Sequence, residues 1–200
     1  MASPSSSEPG AAPKGAQPDA FEQLGLPARY DVEPAELERA FFERSKALHP
    51  DRFAAAPAAE RVAALSRARA LNDAYALLKR DASRAEYLLA REGVTIGDNE
   101  RIDPELVMAL LEEREQLAEA RQRGDLGEVE RMAAAMRARR REALAQVRAL
   151  FGEANQAGAE AERAGGEARA QLLARIKRQL MLLRYVERYL EECDAALDED

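Results

Sequence analysis

The sequence predicts an all-α protein: a helical hairpin with a short flanking helix, joined to an antiparallel three-helix bundle. Three observations carry that prediction. Charged residues make up 34% of the 200 residues and aromatics only 5%, with Ala, Glu, Arg and Leu abundant, a composition suited to helices packed through aliphatic stripes. Apolar residues recur at three- and four-residue steps from residue 34 onward. Proline and glycine clusters interrupt that periodicity at only a few places, which divide the chain into a tail (1–18), a first domain (19–90), a linker (91–102) and a bundle (103–197).

The tail holds four of the nine prolines amid Ser, Gly and Ala, and is expected to be disordered because it offers too little apolar surface to offset ordering. In "PDAFEQLGLP", Asp19 can cap a short helix carrying Phe21 and Leu24, with Pro27 ending it. A second helix is predicted from Pro34 to Leu48, with Leu37, Phe41 and Leu48 on one face. It stops at His49, because a proline disfavours helical geometry in the residue before it. Pro57 opens a third helix whose Val62, Leu65, Leu71, Tyr75 and Leu78 are expected to form a buried stripe. Seven of the ten Phe and Tyr residues precede residue 90, as a first domain with its own core would require.

"REGVTIGDNERI" breaks the pattern and marks the junction. In the bundle, one helix is expected from Asp103-Pro104 to "RGDLGE" at 123–128, one over about 128–151 and one over about 159–195. Val129, Met132, Met136, Leu144, Val147 and Leu150 line the second. Leu173, Ile176, Leu180, Leu183 and Leu190 line the third.

Composition excludes several function classes. A net charge of -7 and a pI near 5.1 oppose nucleic-acid binding, which needs a basic field to displace counterions. The basic run Arg137–Glu142 reads as a solvated helix face balanced by acidic neighbours. One cysteine (Cys193) and one histidine (His49) cannot make a soft metal site, so neither metal nor other cofactor is expected. Cys193 is expected to be partly buried and not a nucleophile. No apolar run approaches the roughly 20 residues of a membrane span. The first residues lack a signal-peptide layout, which makes the cytoplasm the expected address. No phosphate-binding GxxxxGK and no nucleophilic triad is present, so no enzymatic activity is expected.

His49-Pro50-Asp51 sits at the hairpin tip. Taken alone it is ordinary turn chemistry, with a histidine favourably placed at a helix C-terminus. Its setting adds information: a short helix, an amphipathic helix, the tripeptide and a long helix containing "LNDAYALL" follow in order. Together with Leu24-Gly25-Leu26, Leu37, Phe41, Arg52 and Leu71–Tyr75, this resembles a J-domain. The resemblance implies that the tip engages an ATPase chaperone of the DnaK or HscA type and stimulates its hydrolysis, through His49, Pro50, Asp51 and Arg52. A stiff loop presenting Asp51 suits that task, since an exposed anion can accept a charge-assisted bond at little entropic cost. Arg39 and Lys46, one heptad apart and opposite the apolar face, form either a basic strip leading to the tip or a plain solvated face. Arg44 falls beside the buried stripe and is the weaker candidate.

On the first bundle helix, Leu106, Leu110 and Leu117 suffice as a core stripe. Val107, Met108 and Leu111 point elsewhere and share their side with Glu112, Glu115 and Glu119, so apolar knobs are edged by carboxylates, as in a protein-binding patch. Packing of Val107 and Leu111 under the third bundle helix or against the first domain is the other reading. Leu182, Tyr185 and Tyr189 face away from the Leu180/Leu183 seam, and docking to the first domain would equally account for the two tyrosines.

The layout "LGLPARYDVEPAEL", "RAEYLL" and "LLEEREQL" resembles the HscB family over about residues 19–195. That family comprises J-type co-chaperones dedicated to iron–sulfur cluster assembly. The resemblance implies that the bundle grips the iron–sulfur cluster scaffold protein through Val107, Met108, Leu111 and their flanking glutamates. It also matches Leu182 to an apolar scaffold-contacting position. A J-protein serving another client, or a structural helical oligomer, are the rival readings.

Overall fold

The computed structural model describes residues 19–97, 100, 104–164 and 166–198; the predicted tail lies outside them. Among the described residues seven α-helices follow in order: α1 (Ala20–Leu24), α2 (Pro34–Ala47), α3 (Ala58–Lys79), α4 (Asp81–Arg91), α5 (Pro104–Gln122), α6 (Leu126–Ala164) and α7 (Glu167–Asp198). A 3-10 turn, Pro50–Phe53, lies between α2 and α3. No strand occurs among the described residues.

The spine is the long α6/α7 hairpin, and two masses pack along it. Nearer its turn, Ala143, Val147, Leu150 and Phe151 of α6 and Leu173, Ile176, Leu180 and Leu183 of α7 share one core with Phe21, Leu24, Tyr30, Leu37, Leu71, Leu78 and Leu89 of the first segment. At the far end, α5 lays Leu117 and Ala120 on Val129, Ala133 and Met136 of α6 and Val186, Tyr189 and Cys193 of α7. The first segment therefore does not hold a core of its own: its apolar surface continues into the hairpin. Tyr30 stacks on Phe151 with ring centroids 4.9 Å apart, and burial pushes its hydroxyl up to about 12.

Several boundaries differ from the sequence expectation. α1 is ended by Gly25, which takes the left-handed conformation (φ 66°), and not by Pro27. The Cβ of any other residue at this position would also meet the Arg44 guanidinium. In α3, Leu71 and Leu78 are buried and Tyr75 stacks on Phe41 at 4.3 Å, but Val62 and Leu65 are exposed. The small Ala64 and Ala74 are buried with them. α4 is a helix of its own, separated from α3 by the extended Arg80. α6 runs 39 residues and continues through Gly152, since the burial of Phe151 and Ala154 offsets one glycine's helix penalty of about 1 kcal/mol. α7 begins only at Glu167, after a turn at Gly166. The α5–α6 break is correspondingly short, closing at Gly124 (φ 66°) with Asp125 capping α6 through Glu128 N–H at 3.0 Å.

"RAEYLL", residues 84–89, ties the first segment together and to α7. Arg84 is a charged residue buried to 4% exposure: its Nε donates to Tyr30 O at 2.8 Å, its Nη1 to Leu78 O at 2.6 Å, and its Nη2 pairs with Asp81. Glu86 accepts from Arg184 of α7 at 2.8 Å. The Tyr87 hydroxyl accepts from Ala20 N–H and donates to the Asp19 carboxylate, both at 3.0 Å. Ala85, Leu88 and Leu89 are buried. The segment after α4 stays attached, with Val94 and Ile96 packed on the first core and Glu92 paired to Arg169 at 2.8 Å.

Candidate functional site

The hairpin tip is built by local rules. His49 is extended (φ -60°, ψ 133°), as a residue before proline should be, and Pro50 opens the 3-10 turn. The His49 Nδ1 accepts from Asp51 N–H at 3.4 Å, and Arg52 N–H donates to His49 O at 3.0 Å. The imidazole acts as the cap of the turn. The Asp51 side chain is left 89% exposed. Arg52 is exposed beside it. An anion aimed at solvent from a capped turn between two packed helices is organised to accept a cationic partner.

On α2, Arg39 and Lys46 are both exposed, but they differ in what they touch. Lys46 is paired with Glu43 at 3.2 Å and lies over the Phe42 ring at 4.1 Å. Phe42 is itself 57% exposed, and in the first two turns of α3 Val62 and Leu65 are 63% and 59% exposed. These three apolar side chains were not singled out as surface. For Phe42 the available signal was its position one residue off the Leu37/Phe41 stripe.

The second surface is on α5. At about 100° per residue, buried Leu110, Leu117 and Ala120 and half-buried Glu113 span an arc centred near 260° from Val107, whereas Val107, Met108, Leu111, Glu112, Glu115 and Glu119 lie between about 0° and 140°. The patch therefore faces directly away from the core. Met108 and Leu111 are 59% and 49% exposed and Val107 is 37% exposed, so they do not pack under α7 or against the first segment. Glu112, Glu115 and Glu119 are exposed around them. The side chain of Leu106 lies outside the described residues.

Tyr185 and Tyr189 explain why α5 presents this face. The Tyr185 hydroxyl donates to Leu110 O at 2.7 Å and the Tyr189 hydroxyl to Glu113 O at 3.1 Å. The two tyrosines fasten α7 to α5, correcting the expectation that they face away from the bundle seam. Burial pushes the Tyr185 hydroxyl up to about 12 and the Tyr189 hydroxyl higher. Leu182 is half-buried against the same core and leaves only an edge available. Cys193 is fully buried, not partly, and burial pushes its thiol up to about 11. The arginine run of α6 is spent on inter-helix pairs: Arg137 with Asp194 at 2.8 Å, Arg139 with Glu113 at 3.0 Å and Arg140 with Glu187 at 3.4 Å.

A family model described as the HSCB C-terminal oligomerisation domain matches residues 102–194, which covers α5 and nearly all of α6 and α7. The solved structure titled chaperone HscB from Vibrio cholerae superposes with a TM-score of 0.71 at 28% identity, over 90% of this chain and 98% of that one. Over nearly its whole length the chain is similar to HscB. Two curated relatives from Vibrio vulnificus (strains YJ016 and CMCP6), each named co-chaperone protein HscB homolog, are 42% identical over 101 residues. That match takes in 50% of this chain and spans 59% of the relatives' length. The crystal structure of the human co-chaperone protein HscB shares the fold, with a TM-score of 0.73 at 22% identity over 92% of this chain and 84% of that one. In HscB terms, α1–α4 form the N-terminal J-domain and α5–α7 the C-terminal bundle. No helix among the described residues is long and apolar enough to cross a membrane.

Proposed function

We propose that this protein is a cytoplasmic adaptor that carries an iron–sulfur cluster scaffold protein to a DnaK/HscA-type chaperone and stimulates that chaperone's ATPase. The observation that carries the reading is the pairing, along one α6/α7 spine, of an 89%-exposed Asp51 at a capped turn with an outward apolar patch at Met108 and Leu111. The tip supplies the chaperone contact, with His49 and Pro50 fixing the backbone, Asp51 accepting from a cationic notch and Arg52 beside it. Arg39 and Lys46 extend that contact along α2.

The α5 patch supplies the scaffold contact. Val107, Met108 and Leu111 would each contribute roughly 1.5–3 kcal/mol when covered, enough in sum for micromolar binding after association costs. Glu112, Glu115 and Glu119 select a basic rim on the scaffold, and the edge of Leu182 adds to it. Because J-domain and bundle share packed helices, a bound scaffold is held at a fixed place relative to the tip. This raises its local concentration at the chaperone's client cleft.

The test is ATP turnover by a purified DnaK/HscA-type chaperone with this protein and the scaffold added separately and together. Stimulation by this protein, raised further by scaffold, is expected. Stimulation without any scaffold binding would assign the protein to a different client, and no stimulation at all would leave a structural helical role.

A further inference from the structure

Beside Tyr30, where the J-domain meets the turn end of the α6/α7 hairpin, lies a cleft of about 170 Å³. Neither the hairpin tip nor the α5 patch borders it. Leu88, Phe151 and Leu173 give it apolar walls, and its charged lining is three guanidiniums, Arg29, Arg91 and Arg169, to one carboxylate, Glu92. The guanidiniums are held in place. Arg29 Nη2 bonds Glu36 at 2.8 Å and Arg91 Nη1 pairs with Asp19 at 2.7 Å, and neither of those carboxylates lines the cleft. Asp19 is saturated, since Oδ1 accepts from Phe21 and Glu22 N–H and Oδ2 also accepts from the Tyr87 hydroxyl. Glu92 spends both oxygens on Arg169, whose Nη1 donates to Ala154 O at 2.8 Å. The loop that carries Arg29 is fixed as well, because Arg84 holds Tyr30 O at 2.8 Å and the Tyr30 ring stacks on Phe151.

What the cleft has left over is donors. Nε and Nη1 of Arg29 and Nε and Nη2 of Arg91 have no hydrogen-bond partner among the described residues, and Asn155 adds an exposed amide. Pre-placed guanidiniums with unused N–H groups favour an oxyanion, which accepts charge-assisted bonds from their forks at little ordering cost. At about 30 Å³ per water-sized group, the cleft has room for about six heavy atoms, the size of a phosphate group. We infer that it binds a phosphate-class dianion, clasped by Arg29 and Arg91 of the J-domain and by Asn155 of α6. The ligand then fastens the J-domain to the hairpin at the point where both already meet.

The test is thermal unfolding of the full-length protein in inorganic phosphate or glycerol phosphate, each against sodium chloride at equal ionic strength. Wild type is expected to show a saturable rise in Tm, as binding to the folded state alone requires. Arg29→Gln/Arg91→Gln should need at least about tenfold more dianion for the same rise, because each lost guanidinium removes a charge-assisted bond. Arg175→Gln, at an α7 side chain 55% exposed and outside the cleft, should respond like wild type. Amide chemical shifts of the wild-type protein give a readout that needs no variant: changes on adding phosphate should centre on Arg29, Arg91, Asn155 and Arg169. A response to inorganic phosphate alone identifies the free ion as the ligand, and a response that extends to glycerol phosphate identifies a phosphomonoester; either supports the site. No rise beyond that in chloride, an equal response in the double variant, or shift changes centred elsewhere overturns it.

Discussion

Replacing Arg84 by Met tests how the J-domain is held together internally. The substitution keeps a long side chain of similar reach but deletes three polar contacts: to Tyr30 O at 2.8 Å, to Leu78 O at 2.6 Å and to the Asp81 carboxylate. Asp81 is 43% exposed and can turn to water. The two carbonyls sit at a site where Arg84 is only 4% exposed, and each would lose a charge-assisted bond there. At about 1–3 kcal/mol for each group left unsatisfied, and with partial relief by packing of the Met, the loss comes to about 3–5 kcal/mol. For a chain of this size that lowers Tm by about 6–20 °C. Urea unfolding should show the midpoint falling with little change in slope. Arg84→Lys should recover only part, because an ammonium cannot span three acceptors that a planar fork reaches together. A loss under about 1 kcal/mol for the Met variant would refute the clasp that Arg84 makes between Tyr30, Leu78 and Asp81.

Other expectations are narrower. Met108→Glu and Leu111→Glu, on an exposed face, should each weaken scaffold binding about 10- to 100-fold by calorimetry while leaving stability within about 0.5 kcal/mol. Gly25→Ala should cost about 1–2 kcal/mol, since it forces a Cβ into a left-handed site already crossed by Arg44, and thermal melts should show it. The native Cys193 thiol, buried and with its ionisation pushed up to about 11, should resist an aromatic disulfide reagent at pH 8 until denaturant is added. Tyr30 and Tyr185 ionise near 12 when folded and near 10 when unfolded. Their contribution to stability is therefore fully present below about pH 10 and is lost as pH rises towards 12; spectrophotometric titration of the tyrosines checks it.

The helices were legible because most were periodic and punctuated. Asp19 caps α1, Pro34 opens α2, Pro57 precedes α3, and Leu173 to Leu183 form the α7 seam as their spacing implies. The outward aim of Val107, Met108 and Leu111 was readable for the same reason: angle alone separates them from Leu110 and Leu117. What periodicity could not supply was the identity of the partner surface. Val62 and Leu65 have the chemistry of a core stripe, but it is the smaller Ala64 and Ala74, with a weaker apolar signal, that are buried. Tyr189 and Arg84 escaped because their partners are backbone carbonyls 76 and 54 residues away, and a carbonyl leaves no mark in a sequence. The shared core of J-domain and hairpin was missed likewise, since nothing local shows that Phe151 stacks on Tyr30.

The central claim is that a solvent-held carboxylate at the hairpin tip triggers a partner's ATP hydrolysis. Asp51→Asn removes the charge while keeping the shape, and because that side chain is 89% exposed and makes no buried contact the fold should be untouched. The decisive measurement is single-turnover ATP hydrolysis by the DnaK/HscA-type chaperone with the variant in place of wild type. The account predicts a rate indistinguishable from chaperone alone, with an unaltered melt and unaltered scaffold binding. A rate equal to that with wild-type protein would contradict it.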